Sequence, residues 1–72
     1  MKDKIRVCLI GAGFIGRKYA LAYKSHNSVK LQVVCDSNEN LAKELAKEYG
    51  FERVETNWRK AISAKDVDLV CV

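Results

Sequence analysis

Gly11-Ala12-Gly13-Phe14-Ile15-Gly16 follows the apolar run Ile5-Arg6-Val7-Cys8-Leu9-Ile10, and a second apolar run, residues 29–35, ends in Asp36. The acid lies 20 residues beyond the third glycine (36 − 16). A G-x-G-x-x-G triplet by itself carries little information. A strand before it, a helix after it and an acid at the tip of the next strand give it the setting of a dinucleotide-binding βαβ unit.

Each glycine has a distinct physical reason to be there. Gly11 lets the chain turn sharply off the first strand. Gly13, with no Cβ, lets the backbone approach a pyrophosphate closely, and Gly16 lets the new helix pack tightly on the strand. The first helical N–H groups, those of Phe14 and Ile15, have no partner within the helix and stand at the positive end of its dipole. They form a ready anion site. Asp36 is placed to accept hydrogen bonds from the two hydroxyls of an adenosine ribose.

The chain has 72 residues, of which 49% are hydrophobic and 31% charged, a soluble globular composition. At this length roughly 60% of the unfolded surface can be buried, enough for one small domain or part of one. No apolar run approaches the roughly 20 residues of a membrane helix. Met1-Lys2-Asp3-Lys4 leads straight into a strand without a signal-peptide core, which points to the cytoplasm. The net charge of +4 is spread out: Lys2 and Lys4 are terminal, Arg17, Lys18 and Lys24 share the first helix, and Lys43 and Lys47 alternate with Glu44 and Glu48. Mixed charge of this kind is a solvated face, so neither nucleic acid nor a membrane is expected as a partner.

Cys8, Cys35 and Cys71 make an odd count without a C-x-x-C, and each falls in a predicted strand. They read as buried small hydrophobes in a reducing compartment, with no metal-ligand spacing. All three are expected on neighbouring strands, where accidental oxidation is a handling risk. His26, the only histidine, reads as an exposed residue at a helix end without a catalytic partner.

Residues 4–10 read as a buried strand and 14–26 as a helix with Ile15, Tyr19, Ala22 and Tyr23 on one face. Residues 29–35 form the second strand. Ser37 or Asn38 caps a helix running to about Tyr49, with Leu41, Ala42, Leu45, Ala46 and Tyr49 as its apolar stripe and Gly50 as a left-handed stop. A third strand is expected at Arg53-Val54-Glu55. Thr56 or Asn57 then caps a brief helix with Trp58, Ala61 and Ile62 facing inward, and residues 66–72 form a fourth strand. The alternation implies an α/β fold of Rossmann type: a partial doubly wound parallel sheet of four strands, order 3-2-1-4, with three helices.

Over essentially its whole length the sequence resembles the N-terminal part of the Gfo/Idh/MocA oxidoreductase family. The resemblance is carried by Ile10-Gly11-Ala12-Gly13-Phe14-Ile15-Gly16-Arg17, Val33-Val34-Cys35-Asp36, Thr56-Asn57-Trp58 with Ile62, and Asp66-Val67-Asp68-Leu69-Val70. It implies a nucleotide-binding domain followed by T-P, then by an E-K-P motif whose lysine acts near the hydride-transfer centre. A D-x-x-x-H and a second domain for a sugar-like substrate follow. None of those positions is in this chain, so residues 1–72 are expected to be the N-terminal part of a dinucleotide-binding domain in a protein several times longer, a homo-oligomer when complete. No catalytic residue is assigned. The cofactor-binding residues expected are Gly11, Gly13, Phe14, Ile15, Gly16, Asp36, Ser37 and Asn38.

Asp36 favours NAD over NADP. A carboxylate pairs with free 2′- and 3′-hydroxyls and repels a 2′-phosphate, and Ser37 and Asn38 follow it where an NADP site places an arginine. The full helix between the second and third strands disfavours FAD, and the third glycine suits a pyrophosphate better than S-adenosylmethionine. The function implied is NAD-dependent hydride transfer at a hydroxyl-bearing carbon of a sugar, cyclitol or similar polyol. The alternative is a nucleotide-sensing regulatory module, which uses the same turn and acid without catalysis.

Overall fold

The computed structural model describes residues 4–72, and of Phe14 and Ile15 the backbone alone. Lys2 and the side chain of Ile15, both given places above, lie outside the described residues. The elements are β1 (Ile5–Ile10), α1 (Phe14–Lys24), β2 (Val29–Cys35), α2 (Glu39–Tyr49), β3 (Arg53–Glu55), α3 (Trp58–Ile62) and β4 (Leu69–Cys71). All pairings are parallel and the sheet runs β3-β2-β1-β4, as the sequence predicts. Helix α1 ends two residues before the expected His26, which lies in the exposed connection to β2. Strand β4 occupies only the end of the 66–72 stretch expected for it.

Two apolar layers flank the sheet. On one face Leu9, Leu31 and Val34 pack with Ala20 of α1, Ala42 and Leu45 of α2, and Phe51. On the other, Cys8, Val33 and Cys35 pack with Ala61 of α3. Burying a residue such as Leu45, fully inaccessible here, contributes roughly 1.5–3 kcal/mol. The cysteines are therefore divided between layers: Cys8 and Cys35 face α3, while Cys71 packs against the α1/α2 layer. Neighbouring strands do not bring all three thiols together, which corrects the oxidation risk read above.

Helix α2 forms where its sequence signals put it. The Asn38 side chain accepts the Leu41 N–H at 3.2 Å, Glu39 and Lys43 pair across one turn, and Gly50 at φ 84° ends the helix in the left-handed region. Its stripe narrows at one edge, because Leu41 is exposed. Helix α1 turns a different face inward from the one expected. Gly16 and Ala20 are buried and Tyr23 half-buried, whereas Tyr19 and Ala22 are exposed. The reason is steric. Gly16 must face the strand-to-helix turn, and residues four and seven further on follow it inward. Trp58 and Ile62 also depart from expectation: only Ala61 of α3 is buried, and no described element covers that side of β4.

A bulge shapes β2. Val7 pairs with Leu31 and Cys8 with Val33, so Gln32 has no partner on β1. Its side chain donates from Nε2 to Asp66 at 2.8 Å. Arg53 grips the same carboxylate with both terminal nitrogens, one of them at 3.1 Å. Asp68 accepts from Arg6 Nε and Nη2, each at 3.0 Å, and from the Arg6 backbone N–H at 2.9 Å. Both acids of Asp66-Val67-Asp68 thus fasten the approach to β4 onto the older strands.

Candidate dinucleotide site

The site is built where β1 and β2 end side by side. Gly11 adopts φ 101°, a left-handed value natural only to glycine, and its N–H donates to the Cys35 carbonyl at 2.7 Å. Ala12, buried beneath the turn, donates its N–H to Asp36 Oδ2 at 2.8 Å. The other carboxylate oxygen accepts the Asn38 N–H at 2.8 Å, and the Asp36 N–H donates to the Glu55 carbonyl at 3.1 Å. Asp36 is thus locked to β3, to its own loop and to the glycine turn. A carboxylate has about four acceptor positions, so two such bonds leave each oxygen able to accept another.

The glycines differ in their surroundings, and the close packing expected at Gly16 is present. A Cβ added at Gly16 would sit on the Gly11 carbonyl oxygen and 3.0 Å from its carbon, so the helix can approach the turn only with hydrogen there. A Cβ at Gly13 would meet nothing within 4 Å, so nothing among the described residues requires glycine there. Gly13 is also the N-cap of α1 and offers no side-chain oxygen, and the first turn holds no acid. The N–H groups of Phe14 and Ile15 therefore open the helix without a side-chain cap. Arg17, the first basic residue after the turn, is drawn toward α2, where it bonds Glu48 and lies 3.8 Å from Glu44.

Ser37 is exposed at the rim, and Asn38 commits its side-chain oxygen to α2. Phe14, Ile15, Gly11, Gly13, Gly16 and Asp36 all come together at this end of the sheet. Sequence reasoning missed the Ala12 N–H and the Glu55 carbonyl. Both are backbone groups, and no side-chain pattern announces them. Among the described residues no helix is long and apolar enough to cross a membrane, and no three His, Cys, Asp or Glu side chains gather as a metal site.

Residues 5–72 match the family described as an oxidoreductase family with an NAD-binding Rossmann fold, Gfo/Idh/MocA. The levoglucosan dehydrogenase of Pseudarthrobacter phenanthrenivorans is 32% identical over 76 residues, covering 94% of this chain and 20% of that protein. Solved structures agree. Levoglucosan dehydrogenase in complex with NADH and levoglucosan superposes with a TM-score of 0.83 at 32% identity, over 94% of this chain and 20% of its own. GenD2 from gentamicin A biosynthesis, in complex with NAD, gives 0.85 at 28% identity, over 100% and 21%. The 3-ketoreductase KijD10 from Actinomadura kijaniata, solved with TDP-benzene and NADP, gives 0.82 at 25% identity, over 94% and 22%. The chain thus spans about a fifth of the length of the relatives it matches.

Proposed function

This chain belongs to the Gfo/Idh/MocA oxidoreductase family, and on that premise we propose that residues 1–72 are the NAD(H)-binding part of a polyol or sugar dehydrogenase. The observation that carries the reading is the bond from the Ala12 N–H to Asp36, which joins the diphosphate turn and the ribose acid into one rigid unit. The fit to a dinucleotide is physical. Gly13 leaves an open cradle that a Cβ would begin to fill, and the uncapped N–H groups of Phe14 and Ile15 suit a diphosphate. Gly11 and Gly16 shape that turn. Asp36 takes the adenosine ribose hydroxyls, with Ser37 and the Asn38 backbone at the rim.

The cofactor, when bound, supplies the hydride chemistry. This chain's own residues bind and orient it, and Asp36 rejects a 2′-phosphate by like charge. The substrate, a hydroxyl-bearing sugar or cyclitol, is handled by a further domain, in a cytoplasmic homo-oligomer that engages neither nucleic acid nor membrane. The test is calorimetric titration of the chain with NAD and NADP. NAD binding at least tenfold tighter than NADP is the expected result, and absence of NAD binding at millimolar concentration overturns the reading.

A further inference from the structure

The sheet order β3-β2-β1 sets three strand tips in a row: the glycine turn after β1, Asp36 after β2 and Glu55 at the end of β3. Glu55 pairs in register with Cys35, and its carbonyl accepts the Asp36 N–H at 3.1 Å. We propose that Glu55 is a second acid of cofactor choice, one that closes to a 2′-phosphate the side of Asp36 facing β3. The inference rests on the NAD reading of the glycine turn and Asp36.

Position is the first argument. Asp36 is bonded through Oδ2 to the Ala12 N–H and through Oδ1 to the Asn38 N–H, so its carboxylate is held in place. A 2′-phosphate on a ribose seated there is pushed off that carboxylate by like charge. On the β1 side stands the glycine turn, with the diphosphate proposed for it, itself an anion. The opposite side is the tip of β3. Neighbouring strands lie about 4.8 Å apart, so a phosphate displaced that way approaches Glu55.

Charge is the second argument. Glu55 is half-buried and fastened to its own loop: Oε1 accepts the Thr56 N–H at 3.1 Å and the Asn57 N–H at 3.3 Å. Among the described residues no ion pair engages Glu55 or Asp36. Arg53, on the same strand, gives both terminal nitrogens to Asp66, and the guanidinium of Arg59 lies over the Trp58 ring, 5.2 Å from its centroid. The Cys35 thiol senses the outcome. Burial raises its pKa most, and the charges of Glu55 and then Asp36 raise it further. Both carboxylates thus act on the tip of β2, where a monoester phosphate would bring two more negative charges.

Glu55→Gln removes the charge and keeps an oxygen for the Thr56 and Asn57 N–H groups. Calorimetric titration of the chain should show NADP bound roughly fivefold tighter than by the parent, the scale of a unit charge acting on a phosphate dianion about 8 Å away in a water-like medium. NAD affinity should stay unchanged, and the gain for NADP should shrink as salt is raised. Glu55→Lys changes the charge by twice as much and should extend the gain in NADP over NAD to roughly 25-fold. In a chain carrying Asp36→Ser and Ser37→Arg, Glu55→Gln should again favour NADP. Equal shifts for NAD and NADP would make Glu55 a scaffold of its loop and overturn the proposal, and so would an unchanged NADP affinity in both backgrounds; the NAD reading stands in either case. No heat with NAD from the parent chain overturns that reading, and this inference with it.

Discussion

The Ala12 N–H points at Asp36 Oδ2 from 2.8 Å, across 24 residues of chain, so the acid proposed to select the cofactor is also a strut of the glycine turn. Replacing it should cost both binding and folding. Asp36→Ser with Ser37→Arg should move preference toward NADP by removing a charge that repels the 2′-phosphate and adding one that attracts it. The same pair of changes should lower unfolding stability by about 1–3 kcal/mol, because the Ala12 N–H loses its charged acceptor. Calorimetry with both cofactors and urea unfolding check the two parts separately. Unchanged relative affinities would remove Asp36 from the site.

Gly16→Ala and Gly13→Ala should separate along the same line. The first drives a methyl into the Gly11 carbonyl and should destabilise the fold by about 1–3 kcal/mol or more, read by urea or thermal unfolding. The second meets nothing within 4 Å among the described residues and should leave stability nearly unchanged while weakening both nicotinamide cofactors. Full cofactor affinity in Gly13→Ala would show that the backbone does not approach a ligand there.

Asp66 gives the fold an acid limit. Its hydrogen bonds from Arg53, and then from Gln32, hold its carboxyl down at about 2, against an ordinary 3.8. A pKa lowered in the folded state means that the unfolded chain binds the proton more readily. The contribution is thus complete above about pH 4 and is lost as pH falls toward 2. Asp66→Asn should be less stable than the parent at neutral pH, and the gap should close as the buffer is taken from pH 4 to 2. Unfolding curves across that range measure it, and a constant gap would contradict the account.

Cys8 sets the alkaline counterpart. Burial, with the neighbouring Cys35 adding to it, pushes its thiol from 9.0 up to about 11. The folded state here holds its proton longer than the unfolded chain. Its share of stability is therefore intact below about pH 9 and disappears as pH rises toward 11. Cys8→Ala should flatten that part of the profile. A thiol reagent at pH 8 should modify the half-buried Cys71 first and reach Cys8 and Cys35 only as the molecule opens. Equal rates at all three would sink this prediction.

Strand order and the glycine–acid pair were legible because each rests on local rules. Alternating apolar runs and helical periods fix the winding, Asn38 and Gly50 announce the ends of α2, and a glycine triplet has few other uses. The inward face of α1 was misread because periodicity weighs Tyr19 and Ala22 by hydrophobicity. The helix is instead oriented by contact at Gly16, a residue that carries no hydrophobic signal. Helical spacing puts Trp58 inward with Ala61 and Ile62, but among the described residues only Ala61 of the five-residue α3 is buried and no second layer closes over the indole. The bonds that immobilise Asp36 come from main-chain groups of Ala12 and Asn38, which any residue but proline supplies equally.

The unpaired Gln32 bears on how motifs of this kind are counted. Leu31 and Val33 meet consecutive residues of β1, so a chain without Gln32 would bring its acid to the same point beside the turn with one residue fewer in the interval. The ladder sets the distance from glycine to acid in space, and a bulge of this kind changes the number of residues between them without changing that distance. A search that demands a fixed count would pass over relatives with an identical site, whereas one that follows strand phase would keep them.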